Sequence, residues 1–348
     1  MHLQTLRIVD ANCNRISEGL RFLEDTARFL IDDVDLSQQL RKMRHDRVKS
    51  LAKFGVALLS ERNSESDVGI NIDLVSQQQD LPSLVTANSR RVEEALRVIE
   101  EIAKLPEISP TLDSNEFKQA RFDLYTLERK LSSKILRLDK MARFTGLYVI
   151  IDTQALGTRD AVDTASKAIR GGAKVIQLRD KHHDKGEILT LAQKLNVLCY
   201  KSEAIFIMND NLDIALACDA DGLHIGQTDL PISVARKELP IDKIIGCSTI
   251  TPDQALKAET EGADYIAAGS IFPTPTKEDT VVIGIEGLRQ IKQVISTPLV
   301  AIGGINKGNI VEVMAAGTDS AAVISAIINQ EDIERATREL VAQIEQKT

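Results

Sequence analysis

The chain has 348 residues, 43% of them hydrophobic and 27% charged, which is ample material for the cores of two domains. A net charge of −8, no tryptophan and only 3% aromatic residues argue against a nucleic-acid partner, which demands a concentrated basic surface and stacking rings. No apolar run approaches the ~18 residues of a membrane span. Met1-His2-Leu3-Gln4 carries no basic-then-apolar pattern, so no secretory signal is expected. The four cysteines (Cys13, Cys199, Cys218, Cys247) form no CxxC pair and read as reduced thiols of a cytoplasmic protein.

Residues 1 to about 140 are rich in Arg, Glu, Leu and Gln and contain an internal repeat. The frame A-N-x-x-R-x-x-E-x-L-R-x-x-E runs from Ala11 to Glu24 and again from Ala87 to Glu100, an offset of 76 residues. Arg44-His45-Asp46 against Arg121-Phe122-Asp123 follows at an offset of 77. Each unit therefore reads as a pair of helices, and residues 1–135 as a duplicated helical domain. Asn12/Asn88, Arg15/Arg91 and Glu18/Glu94 fall broadly on one helix face, continued by Arg21/Arg97. Packing alone would preserve the leucines and let polar positions drift, so the retained polar set predicts either a ligand site for phosphate or a structural ion-pair network.

From Leu147 onward short β-branched runs alternate with amphipathic stretches. Strands are predicted at 147–151, 175–178, 205–208, 222–224, 244–246, 265–267, 299–302 and 320–323. Helices are predicted at 160–170, 185–201, 231–238, 252–261, 287–294 and 306–316, and 138–140 reads as a connector. Eight β-then-α units imply a parallel sheet closed into a (β/α)8 TIM barrel over residues 143–348. Asp152-Thr153-Gln154 offers no glycine fingerprint for a dinucleotide-binding sheet.

In such barrels chemistry sits at the C-terminal strand ends. Strand two ends in Gln177-Leu178-Arg179-Asp180-Lys181; the i, i+2 spacing puts Arg179 and Lys181 on one side, suited to a polyphosphate or simply to a solvated charge cluster. Strand three ends in Asn209-Asp210-Asn211 and strand four in Gly226-Gln227-Thr228-Asp229. Asp210 and Asp229 suit Mg²⁺, which takes one or two carboxylates plus phosphate and water, or equally serve as N-caps of the following helices. His224, at a strand end, is expected to be packed rather than catalytic. Strand five leads to Cys247-Ser248, and strand six to a long loop holding Thr274, Pro275, Thr276 and Lys277, suited to anion binding and to a lid. Gly303-Gly304 and Ile324-Ser325 follow strands seven and eight, the usual phosphate cup. Two anionic substrates, one a metal-bound diphosphate, point to a group transfer that expels pyrophosphate.

The series Q-L-R-D-K, N-D, G-Q-T-D-L-P, G-C-S, P-T-P-T-K, G-G and I-S resembles, in that order, the thiamine-phosphate synthase family over about residues 145–345. The resemblance implies a transferase that joins hydroxymethylpyrimidine diphosphate to carboxythiazole phosphate, releasing pyrophosphate and CO2. It implies pyrimidine diphosphate contacts at Gln177, Leu178, Arg179, Asp180, Lys181, Asn209, Ser248 and Lys277, with Arg179, Lys181, Ser248 and Lys277 as the catalytic set. It implies thiazole phosphate contacts at Thr274, Pro275, Thr276, Gly304, Ile324 and Ser325, and Mg²⁺ ligands at Asp210 and Asp229. Thr228 and Ser270 depart from residues common in the family, at positions expected to touch no ligand. A related thiazole tautomerase shares the barrel but lacks the full diphosphate and metal set. Residues 1–135 resemble an extension on some members, cyanobacterial ones among them, linked to phosphorylation of hydroxymethylpyrimidine phosphate. No G-x-x-x-x-G-K-[ST] loop is present, so a kinase and a non-catalytic oligomerisation module both stand. The expected partners are small-molecule substrates, with neither nucleic acid nor membrane, and the oligomeric state is open.

Overall fold

A computed structural model describes residues 3–55, 58, 80–274 and 281–346. The chain divides into two compact units, Met1–Leu138 and Asp139–Thr348.

In the first unit the described helices are α1 (Leu3–Phe29), α2 (Val34–Leu51), α3 (Leu81–Ile102) and most of α4 (Ser114–Arg143), whose residues from Asp139 belong to the second unit, with a short 3-10 turn at Ala52–Phe54. Asp33 and Asp80 start α2 and α3 by accepting the N–H groups of Leu36 and Ser83, both at 2.9 Å. Leucines and isoleucines at helical spacing, such as Ile16, Leu20, Leu23 and Val92, Leu96, Ile99, bury one face of α1 and α3. Gly19 lets these two helices meet closely: a Cβ there would lie 2.4 Å from Val92 Cγ2. The sequence repeat is also a repeat of bonds. Asn12 and Asn88 donate to the carbonyls of Ile8 and Leu84, and Arg15 and Arg91 donate to the Asn of their own helix, at 3.3 and 3.2 Å. Buried Glu24 binds Arg41 and Arg44, and its equivalent Glu100 binds Arg97 and Arg121. The retained Asn, Arg and second Glu thus make matching bonds, Asn to carbonyl and Arg to Asn within a helix and Glu24–Arg44 and Glu100–Arg121 between helices.

The second unit contains eight parallel strands closed in sequence order, β1 to β8. They are Gly146–Asp152, Val175–Arg179, Ile205–Asn209, Gly222–Ile225, Ile244–Thr249, Tyr265–Ala268, Leu299–Ile302 and Ser320–Val323. Buried on both faces, they read as continuous apolar runs, as parallel strands do. Alternation still sorts the side chains. Tyr148, Ile150, Val175, Ile205, Ile207, Ile244, Tyr265 and Val300 fill the barrel with Phe144, whereas Leu147, Val149, Ile151, Ile176 and Leu178 pack with helix residues.

Helices Ala161–Arg170, Lys185–Lys201, Ile232–Glu238, Pro252–Thr260 and Gly284–Val294 follow the expected periods. Three readings change. Residues 138–140 lie inside α4 rather than in a connector, since no Gly or Pro interrupts it before Arg143. The helix expected at 306–316 begins only at Ile310, because the Asn306 side chain accepts the Gly308 N–H at 2.8 Å and Asn309 accepts that of Asn306, holding a turn. Helices Thr153–Leu156, Leu212–Ala217, Ser325–Ile328 and Ile333–Glu345 were not foreseen. Three of these are too short for periodicity to reveal.

Candidate active site

A cavity of about 430 Å³ opens at the C-terminal ends of the strands. It is lined by Gln177, Arg179, Lys181, Asn209, Asp210, Asp229, Ser248, Thr274, Gly304, Ile324 and Ser325, each singled out by sequence. Strand parity explains the convergence: Gln177 and Arg179, Asn209, His224, Ser248 and Ala322 share the inward register of the interior-filling residues.

Asp152 and Arg179 are register partners across β1 and β2. Arg179 donates to Asp152 Oδ2, while Asp152 Oδ1 accepts the N–H groups of Gln154 and Ala155 at 3.1 and 3.0 Å. One buried carboxylate therefore starts the helix Thr153–Leu156 and fixes the guanidinium. Gln177 donates to Asn209 at 3.3 Å. Lys181 reaches Asp210 at 3.4 Å. Burial first, then the adjacent Asp229 carboxylate, hold the Asp210 carboxyl above its usual range, with Lys181 opposing. Neither acid caps a helix. The helix Leu212–Ala217 starts at Asn211 and Ile232–Glu238 at Pro231. Asp210 sits in the left-handed region at φ 60, and Asp229 instead accepts the Gly226 N–H at 2.6 Å.

Two predicted contacts turn elsewhere. Leu178 is fully buried among helix-facing residues, because its parity is opposite to Gln177 and Arg179. Asp180 is drawn into its own loop, accepting the N–H groups of His182 and His183 and pairing with His183 Nδ1 at 2.7 Å. The His183 imidazole is pushed above its usual range by that bond.

Opposite lies the candidate phosphate cup. Gly304 has φ 65, and a Cβ there would come 2.7 Å from Phe272 Cβ and from the Pro273 carbonyl. Gly303, at φ 101, leaves no room against Ser270. These glycines let the strand-seven loop lie against the chain after strand six, where Ile271 and Phe272 donate to Ile302 and Gly303 at 3.0 Å. Pro275, Thr276 and Lys277 lie outside the described residues. Thr228 and Ser270, expected to stand clear of any ligand, both line the cavity.

His224 is buried and doubly bonded, with Nδ1 2.9 Å from the Tyr265 hydroxyl and Nε2 2.9 Å from Ser248 Oγ. Burial depresses its pKa to about 4. Gln227, Thr249 and Gln254 line the cavity although the sequence assigned them no role, and Asp152, which does not line it, braces Arg179 from behind. Asp152 is legible in the sequence as an acid at a strand end, but only the register between β1 and β2 sets it beside Arg179. Among the described residues, no three His, Cys, Asp or Glu side chains gather as a metal cluster, and no helix is long and apolar enough to cross a membrane.

Comparison with known proteins follows the same division. Residues 147–327 match the thiamine monophosphate synthase family, and residues 7–130 match the ThiD2 family. The chain is 38% identical to a thiamine-phosphate synthase of Synechocystis sp., covering 97% of this chain and 96% of the relative. It is 37% identical to one from Thermosynechococcus vestitus, over 98% and 95% of the two chains. A solved structure, a thiamine phosphate pyrophosphorylase from Pyrococcus furiosus, is 44% identical with a TM-score of 0.54, covering 58% of this chain and 96% of its own. The chain belongs to the thiamine-phosphate synthase family.

Proposed function

We propose that this enzyme forms thiamine phosphate from hydroxymethylpyrimidine diphosphate and carboxythiazole phosphate. The observation that carries the proposal is a single cavity with cations and paired carboxylates on one wall and a glycine cup on the other. The thiazole tautomerase alternative is not favoured by relatives similar over nearly the whole chain.

Asp210 and Asp229 fit Mg²⁺: two carboxylates, one of them held above its usual range by burial and by the other, face the cavity beside Lys181. A bound Mg²⁺ would neutralise charge on the departing pyrophosphate. Arg179, held by Asp152, grips the diphosphate together with Lys181. The C–O bond to the pyrimidine methylene breaks with its electron pair leaving on pyrophosphate, and the electron-rich aminopyrimidine stabilises the cation. The thiazole nitrogen then forms the C–N bond, loss of CO2 leaves its electrons on the ring carbon, and a proton is taken up there. The cup at Gly304, Ile324 and Ser325, with Thr274 beside it, holds the thiazole phosphate so that the nitrogen is in line. Lys277 and Thr276 belong to this reading through the family resemblance.

Asp210→Ala and Asp229→Ala should each lower turnover by about 100-fold or more and raise the Mg²⁺ concentration needed for half-maximal rate. Near-normal rate with normal Mg²⁺ dependence in both would remove the metal from these residues. For the first unit we favour phosphorylation of hydroxymethylpyrimidine phosphate, supported by its match to the ThiD2 family and the resemblance to the fused extension. Residues 1–138 incubated with that substrate and ATP should yield the diphosphate. No turnover, with a change of oligomeric state on deleting the unit, would favour the docking module. The reading places the enzyme in the cytoplasm.

A further inference from the structure

Below Ser248 a chain of hydrogen bonds runs from the cavity into the floor of the barrel. Ser248 Oγ lies 2.9 Å from His224 Nε2, His224 Nδ1 lies 2.9 Å from the Tyr265 hydroxyl, and that hydroxyl lies 3.1 Å from the hydroxyl of Tyr148. Tyr148 and Tyr265 are 2% and 0% exposed, and Phe144 covers them with its ring 4.3 Å from that of Tyr265. Ser248 and His224 line the cavity, whereas the tyrosines do not.

Such a chain can be polarised in only two directions, and burial makes them unequal. Among the described residues, the only partner of the Tyr148 hydroxyl is Tyr265. If Tyr148 donates, Tyr265 must donate onward to Nδ1. A neutral imidazole then carries its proton on Nε2, which donates to Ser248 Oγ. The Ser248 O–H has no acceptor left in the chain and points its proton into the cavity. In the reverse direction Ser248 donates to Nε2, Nδ1–H donates to Tyr265, Tyr265 donates to Tyr148, and the buried Tyr148 O–H is stranded. An orphaned buried donor disfavours that arrangement by about 5- to 150-fold. Protonation on both nitrogens carries the same penalty, because Nδ1–H would then donate to Tyr265 and one of the two buried tyrosine O–H groups would be left without an acceptor.

We infer that Tyr148, Tyr265 and His224 form a one-directional relay that makes Ser248 an obligatory hydrogen-bond donor toward an acceptor atom of the bound diphosphate substrate. The inference rests on the placement of that substrate under the proposed function. The three residues are positioning residues; only Ser248 meets the ligand. The arrangement also gives strand five its composition. Gly246 opens the space in which Tyr265 stands, since a Cβ there would fall 1.9 Å from Tyr265 Cζ.

The full-length chain, ¹⁵N-labelled at its five histidines, supports the test. Ring ¹⁵N–¹H correlations, assigned by His224→Gln, should show the Nε2–H tautomer of His224 in the unaltered protein. Tyr148→Phe makes Tyr265 the terminal donor and should preserve that tautomer. Tyr265→Phe removes the bond that sets the direction and should give a tautomer mixture. Ser248→Ala should lower kcat/KM by about 10- to 100-fold, the value of a hydrogen bond to a charged acceptor. Tyr265→Phe should lower it by about 3- to 10-fold alone but by less than about 2-fold when added to Ser248→Ala. An Nδ1–H tautomer in the unaltered protein, or an undiminished Tyr265→Phe effect without the serine hydroxyl, overturns the relay. Full activity of Ser248→Ala with the Nε2–H tautomer intact overturns instead the placement of substrate on Ser248, while upholding the direction of the chain.

Discussion

Asp152 does not line the cavity, yet it should control the affinity of the site for the diphosphate. Its two oxygens are divided: Oδ1 accepts two backbone N–H groups at the start of the helix Thr153–Leu156, and Oδ2 binds Arg179. Asp152→Asn can keep the first role through its amide oxygen while replacing the anion opposite the guanidinium with a neutral N–H₂ donor. Asp152→Ala loses both. The cap is worth about 1 kcal/mol, and a charge-assisted bond about 1.5–3 kcal/mol. Arg179 is 22% exposed at its side chain, so water recovers part of the second term. The freed guanidinium swings, and misplacement of a binding group by about 1 Å costs on the order of 100-fold in rate. Asp152→Asn should therefore lower kcat/KM by about 10- to 100-fold, while the melting temperature falls less than in Asp152→Ala. The assay is thiamine phosphate formation under varied diphosphate concentration, beside thermal unfolding followed by circular dichroism. Normal kcat/KM in Asp152→Asn would refute the positioning role, and equal melting of the two variants would refute the division of labour.

Three further outcomes follow from packing and charge. Gly246→Ala would force a methyl against the Tyr265 ring; overpacking of a filled barrel should destabilise the second unit by about 1–3 kcal/mol or more in denaturant titration, and an unchanged midpoint would show that the ring has room to move. His224 is neutral in the folded protein down to about pH 4, beside Tyr265 and Ser248 and under the weak opposing pull of Asp229. The unfolded chain takes up its proton near the ordinary value of 6.5, so stability is lost as pH falls through the interval from about 6.5 to 4. Between pH 7 and 5 this amounts to about 2 kcal/mol, which His224→Gln should remove from the pH dependence of unfolding; equal slopes in both proteins would count against a buried neutral imidazole. The chain shortened to residues 139–348 keeps Phe144, which is fully buried against Tyr148 and Tyr265, and should fold and retain synthase activity, as the barrel-sized relative suggests. Starting instead at Leu147 removes that ring and should cost about 3–5 kcal/mol; a folded but inactive 139–348 chain would mean that the first unit completes the site.

Local chemistry was enough for the architecture of the second unit. The strands β1 to β8 are short apolar runs bounded by turn residues, and burial on both faces keeps that pattern strong, so all eight are readable to within three residues. Most of the candidate site was readable for the same reason, because a closed parallel barrel gathers its strand ends whatever their separation in sequence. The repeat at 76 residues likewise announced the paired helices. Sequence could not say which way individual side chains turn after a strand ends. Leu178 and Asp180 sit within the Q-L-R-D-K motif yet leave the cavity, one by parity and one through bonds to its own loop. The division of Asp152 between a helix start and Arg179 depends on the register between β1 and β2. The direction of the chain beneath Ser248 depends on Tyr148 and Tyr265, 117 residues apart, meeting under Phe144. Hydrophobic period is written residue by residue, but a hydrogen bond between distant strands exists only once the barrel closes and water is gone.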